Sequence, residues 1–141
     1  MLVSTKGRYA LKIMTDLAMR DQGKYTPLKE MAEKHNISQK YMEAIMTTLS
    51  KAKLVKAHHG KGGGYMLNRA PSEYPISEIL ATTEISIAPV SCLRDDEDPC
   101  PKEATCSTIL MWKELYSVTK GYLDSVTLED LKQKEIELNG E

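Results

Sequence analysis

The sequence predicts a mainly α-helical fold with a small β-wing: a winged helix–turn–helix followed by a long dimerisation helix. Three observations predict it. Two short helical segments meet at a tight turn, and the second begins with polar residues. A glycine-rich hairpin, Gly60-Lys61-Gly62-Gly63-Gly64, follows at once. A long apolar-striped segment then comes after the region that holds all three cysteines of the 141-residue chain.

Each element has a local cause. Ser4 or Thr5 caps a first helix running to about Asp21, in which Tyr9, Ala10, Ile13, Met14, Leu17 and Ala18 recur at helical spacing. Gly23 breaks it. Thr26-Pro27 reads as an N-cap followed by proline at the first helical position, where a missing N–H costs nothing. Leu28, Met31 and Ala32 form the inner face of this short second helix. His35-Asn36-Ile37 turns the chain, and Ser38 caps a third helix with Met42, Ile45, Met46, Leu49 and Ala52 facing inward. Residues 54–58 and 65–67 read as two strands joined by the glycine loop. A long helix ends near Ser125, and Thr127-Leu128-Glu129-Asp130 starts a final short one, with the charged tail after Lys132 frayed. The chain divides into a reader over 1–85, a cysteine loop over 86–107, and a dimerisation helix with its tail over 108–141.

The charge is divided as sharply as the structure. Residues 1–70 hold 13 Lys or Arg against 5 Asp or Glu, a surplus of +8; residues 71–141 hold 6 against 15, or −9. A basic half suits a polyanion. In a helix–turn–helix the second helix enters the major groove of double-stranded DNA by its N-terminal residues. Here these are Ser38, Gln39, Lys40, Tyr41 and Glu43. Gln39 suits an adenine edge, Lys40 a phosphate or guanine, and Glu43 a cytosine amino group. In the wing, Lys56, His58, His59 and Lys61 suit phosphate contact. A nucleotide-binding reading of the glycine loop fails on spacing: no glycine stands five positions before Gly60, and no Ser or Thr follows Lys61.

Cys92, Cys100 and Cys106 are spaced C-x7-C-x5-C. The N-terminus has neither the charged start nor the apolar run of a signal peptide, which points to the cytoplasm, where structural disulfides are rare. Clustered thiols there favour a metal or redox site, although the spacing matches neither a zinc ribbon nor a common ferredoxin run. Spacing alone leaves three unrelated free thiols open. Pro89, Pro99 and Pro101 keep the segment irregular, and Cys106 stands near a helix start that favours its thiolate. Three thiolates need a fourth donor; Asp95, Asp96, Glu97, Asp98 and Glu103 are nearby. Ile109, Trp112, Tyr116, Thr119 and Leu123 stripe the long helix, with Leu115, Val118 and Tyr122 broadening the stripe beyond what one small domain covers. A homodimer reading two related half-sites explains that surplus.

Taken together, these segments resemble the winged-helix iron–sulfur regulators of the IscR type. The resemblance covers nearly the whole chain. It rests on Ser4-Thr5-Lys6-Gly7-Arg8-Tyr9-Ala10, Ile37-Ser38-Gln39-Lys40-Tyr41-Met42-Glu43, Gly60-Lys61-Gly62-Gly63-Gly64-Tyr65, the three cysteines, and Trp112-Lys113-Glu114-Leu115 with Thr127-Leu128-Glu129-Asp130-Leu131. It implies a homodimeric transcription factor whose cysteines hold an iron–sulfur cluster, [2Fe–2S] in that branch. Cluster occupancy then sets which promoters are bound, among them those of cluster-assembly genes and of its own operon, which it represses when loaded. Two departures stand out. Ile109 occupies the position of the family's histidine ligand, and Arg8 the position where nitric-oxide-sensing relatives bring a carboxylate from the partner. The first cysteine gap is also longer. The fourth ligand is thus unassigned, with the acidic residues, Ser107 or an exogenous thiol as candidates.

Other readings remain at this level. Relatives controlling cysteine metabolism keep the reader without a cluster, and a zinc site or thiol switch also fits three clustered cysteines. An iron–sulfur carrier would leave the basic half unused. No base–nucleophile pair stands out for an enzyme, because His35, His58 and His59 all fall in the reading half. No apolar run is long enough to cross a bilayer.

Overall fold

The computed structural model describes residues 3–94 and 98–140. Helix α1 (Thr5–Met19) leads to α2 (Leu28–Lys34) and α3 (Gln39–Lys51), then to strands β1 (Val55–His58) and β2 (Gly64–Leu67). Helices α4 (Ile76–Thr83), α5 (Ile109–Ser125) and α6 (Leu128–Asn139) complete the described elements, with short 3₁₀ turns between them. The mainly helical fold with its antiparallel wing is as the sequence predicts.

The helices form where their spacing puts one apolar face inward. Ala10, Ile13, Met14, Leu17 and Ala18 of α1 meet Met31 and Ala32 of α2 and Met42, Ile45, Met46 and Leu49 of α3 in one core. The caps are those the sequence offers. Ser4 Oγ accepts from Gly7 N at 3.0 Å, Ser38 Oγ from Tyr41 N at 3.0 Å, and Thr127 with Asp130 closes a capping box on α6.

Four expectations are corrected. Thr26 does not cap α2: Pro27 stands at the cap without a side-chain bond, and Thr26 is buried in a bridge to Tyr65. Its N–H donates to Tyr65 O at 2.8 Å and its carbonyl accepts from Tyr65 N at 2.9 Å. Ala52 is exposed at the C-cap of α3, because Lys53 turns the chain at φ +61° and delivers Leu54 to the core instead. Helix α1 ends at Met19, where the Gln22 side-chain amide donates to Leu17 O at 3.2 Å and Arg20 O at 3.0 Å. The tail after Lys132 stays helical to Asn139, with α6 packed along α1 and Gly140 closing it at φ +74°.

Two buried polar groups tie these elements together. Tyr74 is fully buried. Its hydroxyl donates to Leu54 O at 2.7 Å and accepts from the N–H groups of Asn68 (3.1 Å) and Arg69 (3.2 Å), clamping both roots of the wing. Tyr74→Phe removes the bonds to Leu54 O and from the N–H groups of Asn68 and Arg69, and leaves the buried Leu54 carbonyl unpaired, so it should cost about 1–3 kcal/mol in denaturant unfolding, with little change in slope.

Asp16 is buried on α1 and receives Lys34, Arg20 (3.2 Å) and His35 Nε2 (3.3 Å), which fastens α1 to the end of α2. Burial raises its carboxyl, but the hydrogen bonds and charges of Lys34 and Arg20 outweigh that and hold it below its ordinary value of 3.8. A carboxyl depressed by folding contributes in full above the unfolded value and is lost as pH falls through the folded one. Thermal stability should therefore fall on acidification below about pH 4, and fall less steeply in Asp16→Asn, whose melting temperature should already be lower at pH 7.

Candidate nucleic-acid interface and cysteine segment

Local chemistry presents the leading end of α3. Ser38 spends its hydroxyl on the cap, which leaves Gln39 and Lys40 exposed on the first turn. Tyr41 is half-buried and packs edge-on against Tyr9, ring centroids 6.0 Å apart. Glu43 is exposed and lines a concavity of about 310 Å³ together with Pro27, Leu28, His58, His59 and Tyr65. The structure therefore brings Glu43 and His59, sixteen positions apart in the chain, to one place, with Lys61 exposed at the wing tip. Loss of water around Tyr65, and then the charge of Glu43, raise the Tyr65 hydroxyl above its ordinary value.

The wing depends on backbone approaches that exclude side chains. Strand β1 pairs antiparallel with β2 in the register Val55↔Leu67, Lys56↔Met66, Ala57↔Tyr65 and His58↔Gly64. Gly64 lies at φ +145°, and a Cβ there would stand 2.1 Å from Thr26 O. At Gly63 a Cβ would meet His58 O at 2.2 Å. Tyr25 lies against His58 at the loop end of β1, ring centroids 5.3 Å apart and planes inclined by 32°.

The cysteine segment begins where Glu84 ends α4. The Glu84 carboxylate accepts from Ser4 N and Ser4 Oγ, each at 2.6 Å, so the segment leaves directly from the N-cap of α1. Cys92 is exposed in the turn Ser91–Leu93, while Cys100 and Cys106 are half-buried. The Cys92 thiol is pushed up, first by loss of water and then by the charge and hydrogen bond of Cys100, with Cys106 adding to it. The Cys106 thiol is held down: Thr108 Oγ1 stands 3.3 Å from its sulfur, and the N–H groups of Thr108 and Ile109 add to that at the start of α5. Among the described residues, no three His, Cys, Asp or Glu side chains form a group able to hold a metal ion. Asp95, Asp96 and Glu97 lie outside the described residues. Asp98 and Ser107 are exposed, Glu103 pairs with Lys113 at 2.5 Å, and Ile109 is buried in the packing of α5.

The long helix shows two faces. Trp112, Tyr116, Thr119 and Leu123 are half-buried, whereas Met111, Leu115, Val118 and Tyr122 are 54%, 39%, 65% and 67% exposed. Their steps of four, three and four residues put the exposed set on a single seam.

The family model of Rrf2, described as an iron-dependent transcriptional regulator, matches residues 3–134. The chain belongs to the Rrf2 family. Members of this family are winged-helix, DNA-binding transcriptional regulators, and the wing and α3 described above are the corresponding parts here. The chain is 39% identical to the regulator CymR of Bacillus subtilis over 93% of its length and 89% of that protein's. It is 33% identical to the regulator IscR of Photorhabdus laumondii over 93% of its length and 79% of that protein's. The solved structure of CymR, titled the global cysteine regulator of B. subtilis, superposes with a TM-score of 0.76 at 37% identity, covering 95% of this chain and 98% of that one. Among the described residues, no helix of this Rrf2 protein is long and apolar enough to cross a membrane.

Sequence reasoning missed Thr26, Tyr74 and the Asp16 cluster. Asp16 carried a signal: a carboxylate flanked by Met14, Leu17 and Ala18 on a buried face needs a partner. Tyr74 and Thr26 carried none, because their partners are backbone groups, which every residue type carries and no pattern marks.

Proposed function

We propose that this Rrf2 protein is a homodimeric regulator that holds an iron–sulfur cluster on Cys92, Cys100 and Cys106 and alters promoter binding with cluster state. The supporting observation is three thiols on one irregular segment that starts at the N-cap of α1 and runs into α5. Thiolates are the ligands such clusters take, and the lowered Cys106 thiol suits that role. Bound there, a cluster, [2Fe–2S] by likeness to IscR, would supply a redox- and iron-responsive bond set linking the three cysteines. The fourth donor would come from the acidic residues of the segment, Ser107 or an exogenous thiol. The protein's own part is mechanical: the segment fixes Glu84 at one end and the start of α5 at the other.

The exposed seam of α5 supports a second copy as partner. Two readers related by a two-fold axis then meet a pseudo-palindromic promoter site by Ser38, Gln39, Lys40, Tyr41, Glu43, His59 and Lys61. In this mechanism the cluster-bearing segment biases the spacing of the two α3 helices as a shift between populations. Cluster-assembly genes, repressed by the loaded protein, are the targets this likeness favours.

A specific observation favours a second reading. The 39% identity to CymR supports a regulator of cysteine metabolism in which the three thiols act without a cluster. One experiment separates the two. The protein is purified without oxygen, its visible and EPR spectra are recorded, and binding to its own promoter is measured before and after cluster removal. The first reading expects iron–sulfur absorption that Cys92→Ala abolishes, and an affinity change of about tenfold or more on removal. A colourless protein that cannot be reconstituted, with Cys92→Ala binding DNA as the parent does, overturns it in favour of the second.

A further inference from the structure

Helices α4 and α5 pack together but leave a gap between them toward the end of α4. Ser77, Ala81 and Glu84 follow at steps of four and three residues along one side of α4 and its C-cap. Ser77 and Ala81 are small, and with Tyr116 and Lys120 of α5 they line a cavity of about 210 Å³. The chain that continues from Glu84 supplies Ile85 and Ile87 to the same cavity. Ser86 Oγ accepts from Ala88 N at 3.0 Å, which fixes that turn. Ile85 lines the cavity and is nevertheless 82% exposed, an apolar side chain at an open mouth.

The lining carries one charge of each sign, Glu84 and Lys120. Ser4 donates twice to the Glu84 carboxylate, at 2.6 Å each, and Thr83 donates once, which leaves one of a carboxylate's roughly four acceptor positions. Among the described residues, Lys120 Nζ and the Tyr116 hydroxyl have no partner. Tyr116 is half-buried and Lys120 is exposed. At about 100° per residue, they lie roughly 130° and 170° around α5 from the middle of the seam that Met111, Leu115, Val118 and Tyr122 form. A second copy seated on that seam leaves the mouth of the cavity open.

We propose that this cavity is an effector site for a small α-amino acid, whose carboxylate meets Lys120, whose ammonium meets Glu84 and whose short side chain lies against Ile85 and Ile87. A simple carboxylate or a phosphate would set its charge near Glu84 with nothing to offset it, and a plain amine would do the same near Lys120. A zwitterion offsets both. The Ser77 and Tyr116 hydroxyls donate or accept, and so serve either end. The volume of about 210 Å³ lies below the range of about 300–1,000 Å³ usual for larger ligands, which suits an occupant of few atoms. Position gives that occupant its leverage. Helix α4 packs on α1 of the reader and α5 carries the seam, so the ligand bridges the two. The inference uses none of the cysteines and goes beyond both readings above. Its effect on promoter binding rests on the DNA-reading function, whereas the binding itself does not.

The test is isothermal calorimetry on the full chain, titrated with the proteinogenic amino acids and with propionate and ethylamine as half-ligands. A short-chain amino acid should bind, and neither half-ligand should match it. Lys120→Met should weaken binding by about tenfold or more. Ala81→Leu, which fills the cavity from an exposed helix position, should abolish it. Both variants should keep the parent's circular dichroism. At saturation the ligand should change promoter affinity by about fivefold or more. No heat from any amino acid at about 10 mM overturns the proposal, whatever promoter binding shows. Propionate binding as tightly as the amino acid makes this a plain anion site and overturns it. Binding that survives both variants places the ligand elsewhere, and binding lost in Cys92→Ala makes it a ligand of the cysteine segment; either result overturns the proposal. Binding with promoter affinity unchanged overturns the effector role. If the parent binds the amino acid but no DNA, the reader is wrong and the effector role falls with it.

Discussion

Gly64→Ala should abolish promoter binding while leaving most of the helix content in place. Gly64 sits where β2 meets the stub of chain at Thr26, and two constraints coincide there. Its φ of +145° is rarely adopted by residues with a side chain, and an added methyl would stand 2.1 Å from Thr26 O. That atom is backbone and cannot rotate aside. The paired bonds between Thr26 and Tyr65 would have to break, which releases the wing from the root of α2. Strain of this kind costs on the order of 1–3 kcal/mol, and the lost pairing adds to it. The wing would then lose its fixed position beside Glu43, and with it the phosphate contacts proposed for His59 and Lys61. Electrophoretic mobility shift at low salt should show affinity down at least about a hundredfold, equivalent to two lost charge-assisted contacts. By contrast Gly121, whose added Cβ meets nothing within 4 Å, should accept alanine with no loss of binding.

The second large effect concerns the seam on α5. Val118→Glu combined with Leu115→Glu should convert the proposed dimer into a monomer and lower promoter affinity by about three orders of magnitude. Exposed apolar side chains at Met111, Leu115, Val118 and Tyr122 form one stripe, and a glutamate at its centre would bury charge against charge across a two-fold axis. A monomer holds one half-site and forfeits the effective concentration of the second, which is worth about 10²–10⁴ in apparent affinity. Sedimentation velocity and half-site against full-site titrations check both halves of the expectation. Full-site affinity kept by a monomeric variant would contradict it. The substituted side chains are exposed in the protomer, so its thermal unfolding at high dilution should change little.

How much was legible follows from which interactions are local. The faces of α1 and α3 were, because their apolar residues repeat within one helix and their caps lie three positions from their targets. The glycine loop announced the wing because positive φ and close approach leave few residues to choose from. Thr26 was misread because Thr-Pro before a helix is a sound local cap pattern, yet Tyr65, thirty-nine positions away, offers its backbone two bonds instead of one. The tail after Lys132 looked frayed because it is highly charged. Leu131 and Ile136 are nevertheless half-buried, and the packing of α6 on α1 outweighs that composition. In the candidate interface, residue types alone nominated Gln39, Lys40 and Glu43. That Glu43 shares a concavity with His59 required the fold. The cysteine segment shows the same division: spacing gathers the thiols within fifteen positions, but the lowered state of Cys106 arises from Thr108 and the start of α5.

The junction around Tyr74 has a bearing on how the chain is made. Leu128 N donates to Tyr74 O at 2.9 Å, Ile76 N donates to Val126 O at 2.8 Å, and Leu128 is fully buried in the core shared with α1. The last helix therefore completes a surface that the first helix presents. On the ribosome, α1 emerges early and must wait for more than a hundred further residues before its partner arrives. Contacts of such separation are entropically slow to close. A nascent chain halted before residue 127 keeps an apolar face open, and so invites chaperones or a neighbouring copy. The packing of the first helix is thus completed late in synthesis, after the wing and the cysteine segment have been made.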